Sequence, residues 1–376
     1  MANLSLTAML NRCFRYSFSK AGLRSSTMDL GDGTVMHIWV PKVHIKSKPT
    51  LILIHGIGAN AMWQWNDFVS PLMSRFNVYV PDLLFFGDSY TSRPERSEQF
   101  QAQCVMRVME AHGVTVMNVV GISYGGFVGY SLAAQFKERV EKLVLCCAGV
   151  CLEDKDMEEG MLQVKSVDEA VSILLPQTPQ KMRELMKISF YKPRKGVPTC
   201  FLNDFIRNGY DVPNSSISLV VGKRFHQLGP WLNINNVIDL TSGNVFGTSS
   251  REKRVDPSIT QGPKAVESSK DNPGYCKECS LSYKGFCSSI YWVNNTCFVQ
   301  PTLLIWGEHD QIFPLELGHR LERHLGDNAK LVMIKNAGHA INVEKPKVLL
   351  KHFKYFLIDT FRPMDPGNYS NGCKTD

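Results

Sequence analysis

The sequence has no apolar run long enough to cross a bilayer; the longest, Leu143 to Leu152, has the length of a buried strand. It lacks the long apolar core of a secretory signal, so its eleven cysteines read as reduced thiols and the Asn-x-Ser match at Asn214 carries little weight. There is no block of lysine and arginine. The net charge of +7 is spread along the chain, which argues against a nucleic-acid partner. No internal repeat is visible. The first 28 residues lack acid altogether, yet they carry Arg12, Arg15, Lys20 and Arg24, with Leu6, Leu10, Cys13, Phe14 and Phe18 at helical spacing. An amphipathic helix packed on the domain explains that pattern, and so does an organelle-targeting or membrane-surface segment. The expected compartment is the cytoplasm, with organelle targeting and peripheral membrane contact left open by this segment.

What is present is the composition of a globular chain: 44% hydrophobic and 20% charged over 376 residues, enough for one large core. Met28 to Val40 reads as two strands turned at Gly31-Asp32-Gly33. Apolar strands follow at Thr50 to Ile54, Asn77 to Val80, Val116 to Val120, Lys142 to Cys147, Thr302 to Trp306 and Lys330 to Ile334. Helical patterns lie between them, at 99–112, Phe127 to Phe136 and Leu315 to Leu325, and a last helix is expected from Lys345 to Leu357. Fully apolar strands alternating with helices predict a parallel sheet covered on both faces.

One stretch stands out. Gly121-Ile122-Ser123-Tyr124-Gly125 sits between a strand and a helix, where a sharp turn lifts a serine clear of the sheet. A serine hydroxyl needs a base for its proton and donors for the oxyanion formed when it attacks a carbonyl. The order Ser, acid, His is completed by Trp306-Gly307-Glu308-His309-Asp310 and by Asn336-Ala337-Gly338-His339, each just past a strand. Ser123 is the candidate nucleophile, His339 the base, and Asp310 the acid that fixes its tautomer. Glu308 is an alternative acid, while His309, His319 and His324 read as surface or capping residues. The backbone amides of Tyr124 and Ile57 are the candidate oxyanion donors, with His55, Gly56, Gly121 and Gly125 supporting the two turns. Gly56-Ile57-Gly58-Ala59-Asn60-Ala61 weakly matches a dinucleotide fingerprint, with Asp82 near the position of a ribose-binding acid, but His55 intervenes after the strand. Otherwise Asp82 is a structural turn residue.

At these residues the chain resembles the α/β-hydrolase superfamily, and in particular plant-type serine hydrolases similar to carbon–carbon bond hydrolases and monoacylglycerol lipases. The resemblance covers 22–206 and 300–358. It implies an α/β-hydrolase fold, with a mostly parallel central sheet flanked by helices and a helical cap inserted after the sixth strand. The expected organisation is a basic amphipathic segment (1–27), the first part of the core (28–151), the cap (152–206), an atypical insertion (207–299), the second part of the core (300–360) and a tail (361–376). Aspartate stands at the elbow of the family's dehalogenases and epoxide hydrolases, so Ser123 argues against both. The carbon–carbon hydrolases use a cap arginine, and Phe201-Leu202-Asn203-Asp204-Phe205 has none. That departure favours a carboxylic ester, small or lipid-like, as substrate, with no cofactor and no metal. A receptor-like binding protein on the same fold is the alternative, and a carbon–carbon hydrolase a lesser one.

Residues 207–299 break the pattern. They are rich in Ser, Asn, Gly and Pro without sustained periodicity, and they separate Ser123 from Asp310 by 187 residues. Cys276, Cys279, Cys287 and Cys297 include only one C-x-x-C, a weak basis for zinc. Arg207-Asn208 can be encoded with an internal GTAA, and Cys297-Phe298-Val299-Gln300 with a thymine-rich run ending in CAG, as at the two ends of an intron. A translated intron or mispredicted exon, disordered and disrupting the cap, is therefore expected here, with a structured family-specific insertion as the alternative.

Overall fold

Four strands are buried at every position: β3 (Thr50–Ile54), β4 (Asn77–Pro81), β6 (Met117–Ile122) and β8 (Thr302–Gly307). Strands without a polar face must be covered on both sides, and in this chain helices supply the cover. With β1 (Leu23–Asp29), β2 (Thr34–Pro41), β5 (Tyr90–Thr91), β7 (Val140–Cys146) and β9 (Ala329–Ile334) they form a nine-stranded sheet ordered β1-β2-β4-β3-β6-β7-β8-β9, with β5 paired to β2. The pairs of β2 are antiparallel; from β4 to β9 every pair is parallel. The computed structural model describes residues 5–58, 60–153, 156, 167–209 and 298–359, all within one unit; a second unit, Asn233–Ser288, lies outside the described residues.

Side chains alternate across the strands, and so the core divides in two. Ile52 and Ile54 face the cluster that holds α3 (Glu98–Ala111), α4 (Tyr124–Gln135) and α8 (Leu315–Leu325). Leu51 and Leu53 face the cluster built on α2 (Ala61–Met73) and α10 (Pro346–Lys354), with Phe18 of α1 (Leu6–Lys20). Between β7 and β8 the chain leaves the sheet to form α5 (Val167–Leu174), α6 (Pro179–Ser189) and α7 (Thr199–Gly209). Six long strands precede this insertion, as expected; the two-residue β5 is an addition.

Several boundaries differ from the sequence reading. β1 begins at Leu23, paired with Pro41, so the edge hairpin starts inside the expected N-terminal segment. Before it, among the described residues, the segment forms α1 (Leu6–Lys20), capped by Ser5 and packed on the body. Phe14 meets Trp63 edge-on at 5.1 Å, and Asn11 Oδ1 accepts the Trp63 indole N–H at 2.6 Å. The Thr7 amide donates to Asp204 Oδ2 of α7 at 2.7 Å. Leu6, Met9 and Tyr16 stay exposed. α7 runs on to Gly209, and Phe298 is already buried, its ring stacked 4.8 Å from that of Tyr130. The expected disorder and intron of 207–299, and the four cysteines weighed against zinc, otherwise fall on 210–297, outside the described residues, as does the tail. The expected last helix starts one residue late, as α10 at Pro346, because proline suits a first helical position and has no N–H to continue an earlier turn; a short α9 (Ile341–Glu344), outside the expected bounds, precedes it.

A buried polar cluster ties the edge hairpin to the parallel sheet. Asp82 Oδ2 lies 2.8 Å from His37 Nδ1, its Oδ1 accepts the Ala61 amide at 2.9 Å, and His37 Nε2 reaches Ser25 Oγ at 2.8 Å. Burial alone would raise the Asp82 pKa, but the hydrogen bonds from His37 and from the Ala61 amide bring it below its ordinary value. His55, fully buried, has its pKa lowered by desolvation, partly opposed by the Asp82 charge. Both depressed values stabilise the fold above the ordinary pKa and lose that contribution as pH falls. For His55 the loss begins below its ordinary 6.5. Thermal unfolding followed by circular dichroism should therefore show a midpoint that falls from pH 7 to pH 5. His55→Asn, though less stable overall, should show a shallower fall; equal slopes would refute the assignment.

Candidate active site

The strand-to-helix turn after β6 is built on a strained residue. Ser123 has φ 53° and ψ −123°, a conformation that costs a non-glycine residue about 1–3 kcal/mol. Two glycines make this turn sterically feasible. A Cβ on Gly121 would lie 2.3 Å from the Gly125 carbonyl oxygen, and one on Gly125 would lie 2.3 Å from the Ile54 carbonyl oxygen. The Ser123 amide donates to Cys146 O at 2.8 Å, and Gly126 N–H donates to Ser123 O at 2.8 Å, fixing the elbow between β7 and α4.

Both partners named from sequence converge on it. His339, in the loop after β9, has Nε2 2.9 Å from Ser123 Oγ and Nδ1 2.9 Å from Asp310 Oδ2. Asp310 follows β8; its Oδ1 accepts the amides of Ile312 and Phe313, each at 2.9 Å, and its side chain has no solvent exposure. An ionised carboxylate only accepts, so Nδ1 of His339 carries the proton and Nε2 is left to accept from the serine. Glu308 is engaged elsewhere, accepting the Asn336 amide at 2.9 Å. His309 stacks on Tyr191 at 4.4 Å, and the exposed His319 and His324 lie on α8, the former 3.7 Å from Glu322.

The loop after β3 supplies the other wall. Gly56 passes so close under the elbow that a Cβ there would be 2.8 Å from Ser123 Cβ. His55 Nε2 accepts the Leu83 amide at 2.9 Å, which leaves Nδ1–H to donate to Gly56 O at 2.7 Å, in keeping with an imidazole held neutral by burial. Ile57 and Tyr124 line the same cavity as Ser123 and His339. Asp82 is buried and committed to His37 and Ala61, so it does not present a carboxylate to a ribose.

That cavity measures about 900 Å³ and lies between the sheet and the cap helices. Its walls are largely apolar, with Trp63, Phe127 and Phe313 from the body and Met182, Phe201 and Phe205 from the cap. The stretch 201–205 indeed contributes no arginine; Arg194 and Lys195 reach the cavity from the loop between α6 and α7. Two further residues escaped the sequence reading. Gln64 and Asn342 both line the cavity, and Asn342 Nδ2 donates to Gln64 O at 3.3 Å. Gln64 sits in the first turn of α2, where side chains lean toward the preceding loop, and that tilt was the available signal.

Cys147 was read only as one of eleven reduced thiols. At φ 47°, it brings Sγ, an Asp310 oxygen and a His339 nitrogen within 4.8 Å of one another. Burial first, then the Asp310 charge, push this thiol well above its ordinary value. A protonated thiol is a poor metal ligand, and His339 and Asp310 are already bonded to each other, so the three side chains do not suit an ion.

Comparison with known proteins agrees with this architecture. An uncharacterized protein of Mycobacterium tuberculosis is 33% identical over 128 residues, 34% of this chain and 37% of that protein. The chain thus matches little more than a third of that relative's length. Lipase 3 of a Moraxella species is 22% identical over 359 residues, 92% of this chain and 88% of the lipase. The crystal structure of a putative lipase from Acinetobacter baumannii superposes with a TM-score of 0.62 at 20% identity, covering 92% of this chain and 95% of the other. These relatives are bacterial and do not bear on the plant-type likeness. The profile of the α/β hydrolase fold matches residues 49–346, from the start of β3 to the start of α10, and the chain belongs to that family.

Proposed function

We propose that the protein is a cofactor-free serine hydrolase that cleaves a carboxylic ester with a sizeable apolar portion. One observation carries this reading: the hydrogen-bonded series Ser123 Oγ, His339, Asp310, with both distances 2.9 Å, opens onto an apolar cavity of about 900 Å³. That volume lies in the range of ligand pockets, about 300–1,000 Å³. The lipase names of the Moraxella and Acinetobacter relatives support an ester over other acyl compounds.

In this mechanism His339 Nε2 takes the serine proton as Oγ attacks the ester carbonyl. The charge on the tetrahedral oxygen is met by the amides of Ile57 and Tyr124. Collapse expels the alcohol, which receives its proton from His339, and leaves Ser123 acylated. Water, deprotonated by the same imidazole, attacks the acyl carbonyl and restores the serine. Asp310 holds the imidazole in the tautomer both steps need and stabilises the imidazolium between them. Contact with a lipid surface through α1, which exposes Leu6, Met9 and Tyr16 beside Arg12 and Arg15, belongs to the same proposal.

Purified protein is expected to hydrolyse p-nitrophenyl butyrate and to be labelled by a fluorophosphonate. Ser123→Ala should abolish both, and Asp310→Asn should lower kcat by roughly 10³–10⁴-fold. Equal rates for wild type and Ser123→Ala would overturn the assignment. A wild-type protein that binds esters but never labels would favour the receptor-like alternative. For the membrane contact, sedimentation with vesicles of one-third phosphatidylserine should fall when Leu6, Met9 and Tyr16 are changed to serine, and unchanged sedimentation would refute it.

A further inference from the structure

Helix α2 begins directly after the loop that passes under Ser123, and its fourth residue folds back over that loop. Gln64 Oε1 accepts the Gly56 amide at 2.9 Å. Its Nε2 lies 3.4 Å from Gly56 O, 3.4 Å from Ile57 O and 3.3 Å from Gly58 O. Only one orientation of the carboxamide satisfies this set, with oxygen toward the amide and NH₂ toward the three carbonyls. Gly56 O is held a second time, by His55 Nδ1 at 2.7 Å.

These contacts bear on a group they do not touch. The peptide joining Gly56 to Ile57 is planar and trans, so its N–H points opposite to its C=O. With Gly56 O turned toward His55 and Gln64, the Ile57 amide must face the other side of the loop. It donates to no protein acceptor among the described residues, and Ile57 borders the same cavity as Ser123. Without the two donors, a loop of the sequence Gly56-Ile57-Gly58 could rotate this peptide at little steric cost.

We propose that Gln64 is a positioning residue: with His55 it locks the Gly56–Ile57 peptide so that the Ile57 N–H is aimed, before substrate arrives, at the oxygen that becomes negative in the reaction. Asn342 extends the lock. It lies three residues after His339, and its bond to Gln64 O at 3.3 Å joins the donor side of the site to the loop that carries the base. The inference rests on the esterase reading for its kinetic consequence but not for its structural one.

The test uses the full chain and two variants. Gln64→Met keeps the length and apolar stem of the side chain but removes both polar atoms. Gln64→Glu keeps an acceptor for the Gly56 amide and replaces the donor by a charge that repels three carbonyls. With p-nitrophenyl butyrate, Gln64→Met should lower kcat about 100-fold, the loss expected when one oxyanion donor is misdirected, with KM within about threefold of wild type. Gln64→Glu should lose at least as much. A trifluoromethyl ketone, which forms the charged tetrahedral adduct, should bind Gln64→Met about 100-fold more weakly. The methyl ketone of the same chain, tested on the Ser123→Ala background where no adduct forms, should bind with unchanged affinity. A side chain that merely supports the fold would alter both inhibitors alike. Hydrogen exchange of the peptide spanning 55–58 supplies a readout independent of turnover and should quicken in both variants. If wild type proves inactive, the esterase reading falls, and this exchange measurement alone decides the lock. Either kcat within threefold of wild type in both variants, or exchange at 55–58 unchanged, would overturn the proposal.

Discussion

Ser123 has to leave the sheet in a backbone conformation that side chains resist, and much of the molecule can be understood as what holds it there. The cost of about 1–3 kcal/mol is local, whereas the restraints come from far along the chain. β7 supplies the acceptor for the Ser123 amide, and the β3 backbone presses against Gly125 so closely that no side chain fits. Because β3, β6 and β7 are adjacent and parallel, their carboxyl ends come together at one edge, and the turn is fixed from both sides. The same parallel arrangement brings the loops after β8 and β9, carrying Asp310 and His339, to that edge. A polar chain that spans 216 residues of sequence between Ser123 and His339 thus closes through hydrogen bonds of ordinary length.

The elements that the sequence disclosed are those whose signal is local. Fully apolar runs announced the parallel strands, and the glycines around Ser123 announced a turn that no other residue could make. The sequential order of serine, acid and histidine then pointed to the three side chains the fold brings together. What was hidden depended on contacts between distant segments. Nothing around Asp82 states that its carboxylate turns inward to His37 and the Ala61 amide, because both partners lie at least 21 residues away. Gln64 was not singled out, because its role exists only once the preceding loop is folded against it. Arg194 shows the same limit: a search confined to 201–205 could not find a residue that reaches the cavity from the loop before α7.

Boundaries were misjudged where tertiary packing overrides local pattern. The edge hairpin extends back to Leu23 because β1 gains a full set of partners from β2, although Leu23-Arg24-Ser25-Ser26 has little strand character of its own. Phe298 sits within a stretch of unpromising composition, yet the flat face of Tyr130 on α4 gives it a place in the core.

The helix α1 touches two parts of the protein that otherwise differ in origin. Phe14 and Asn11 hold Trp63 of the body, while the Thr7 amide holds Asp204 of the cap, and Phe205 of the cap lies edge-on to that same Trp63 at 5.0 Å. Trp63 is also a wall of the cavity. α1 consequently bridges cap and body beside the cavity, its first turn held by Asp204 and its middle by Trp63. A proteolytic cut within Leu6–Lys20 would leave the sheet and the polar series at Ser123 intact, but it would unfasten the cap at α7 and free the indole that closes one side of the pocket. The reach of the pocket, rather than the chemistry at its floor, would then be set by a segment far from the serine in sequence.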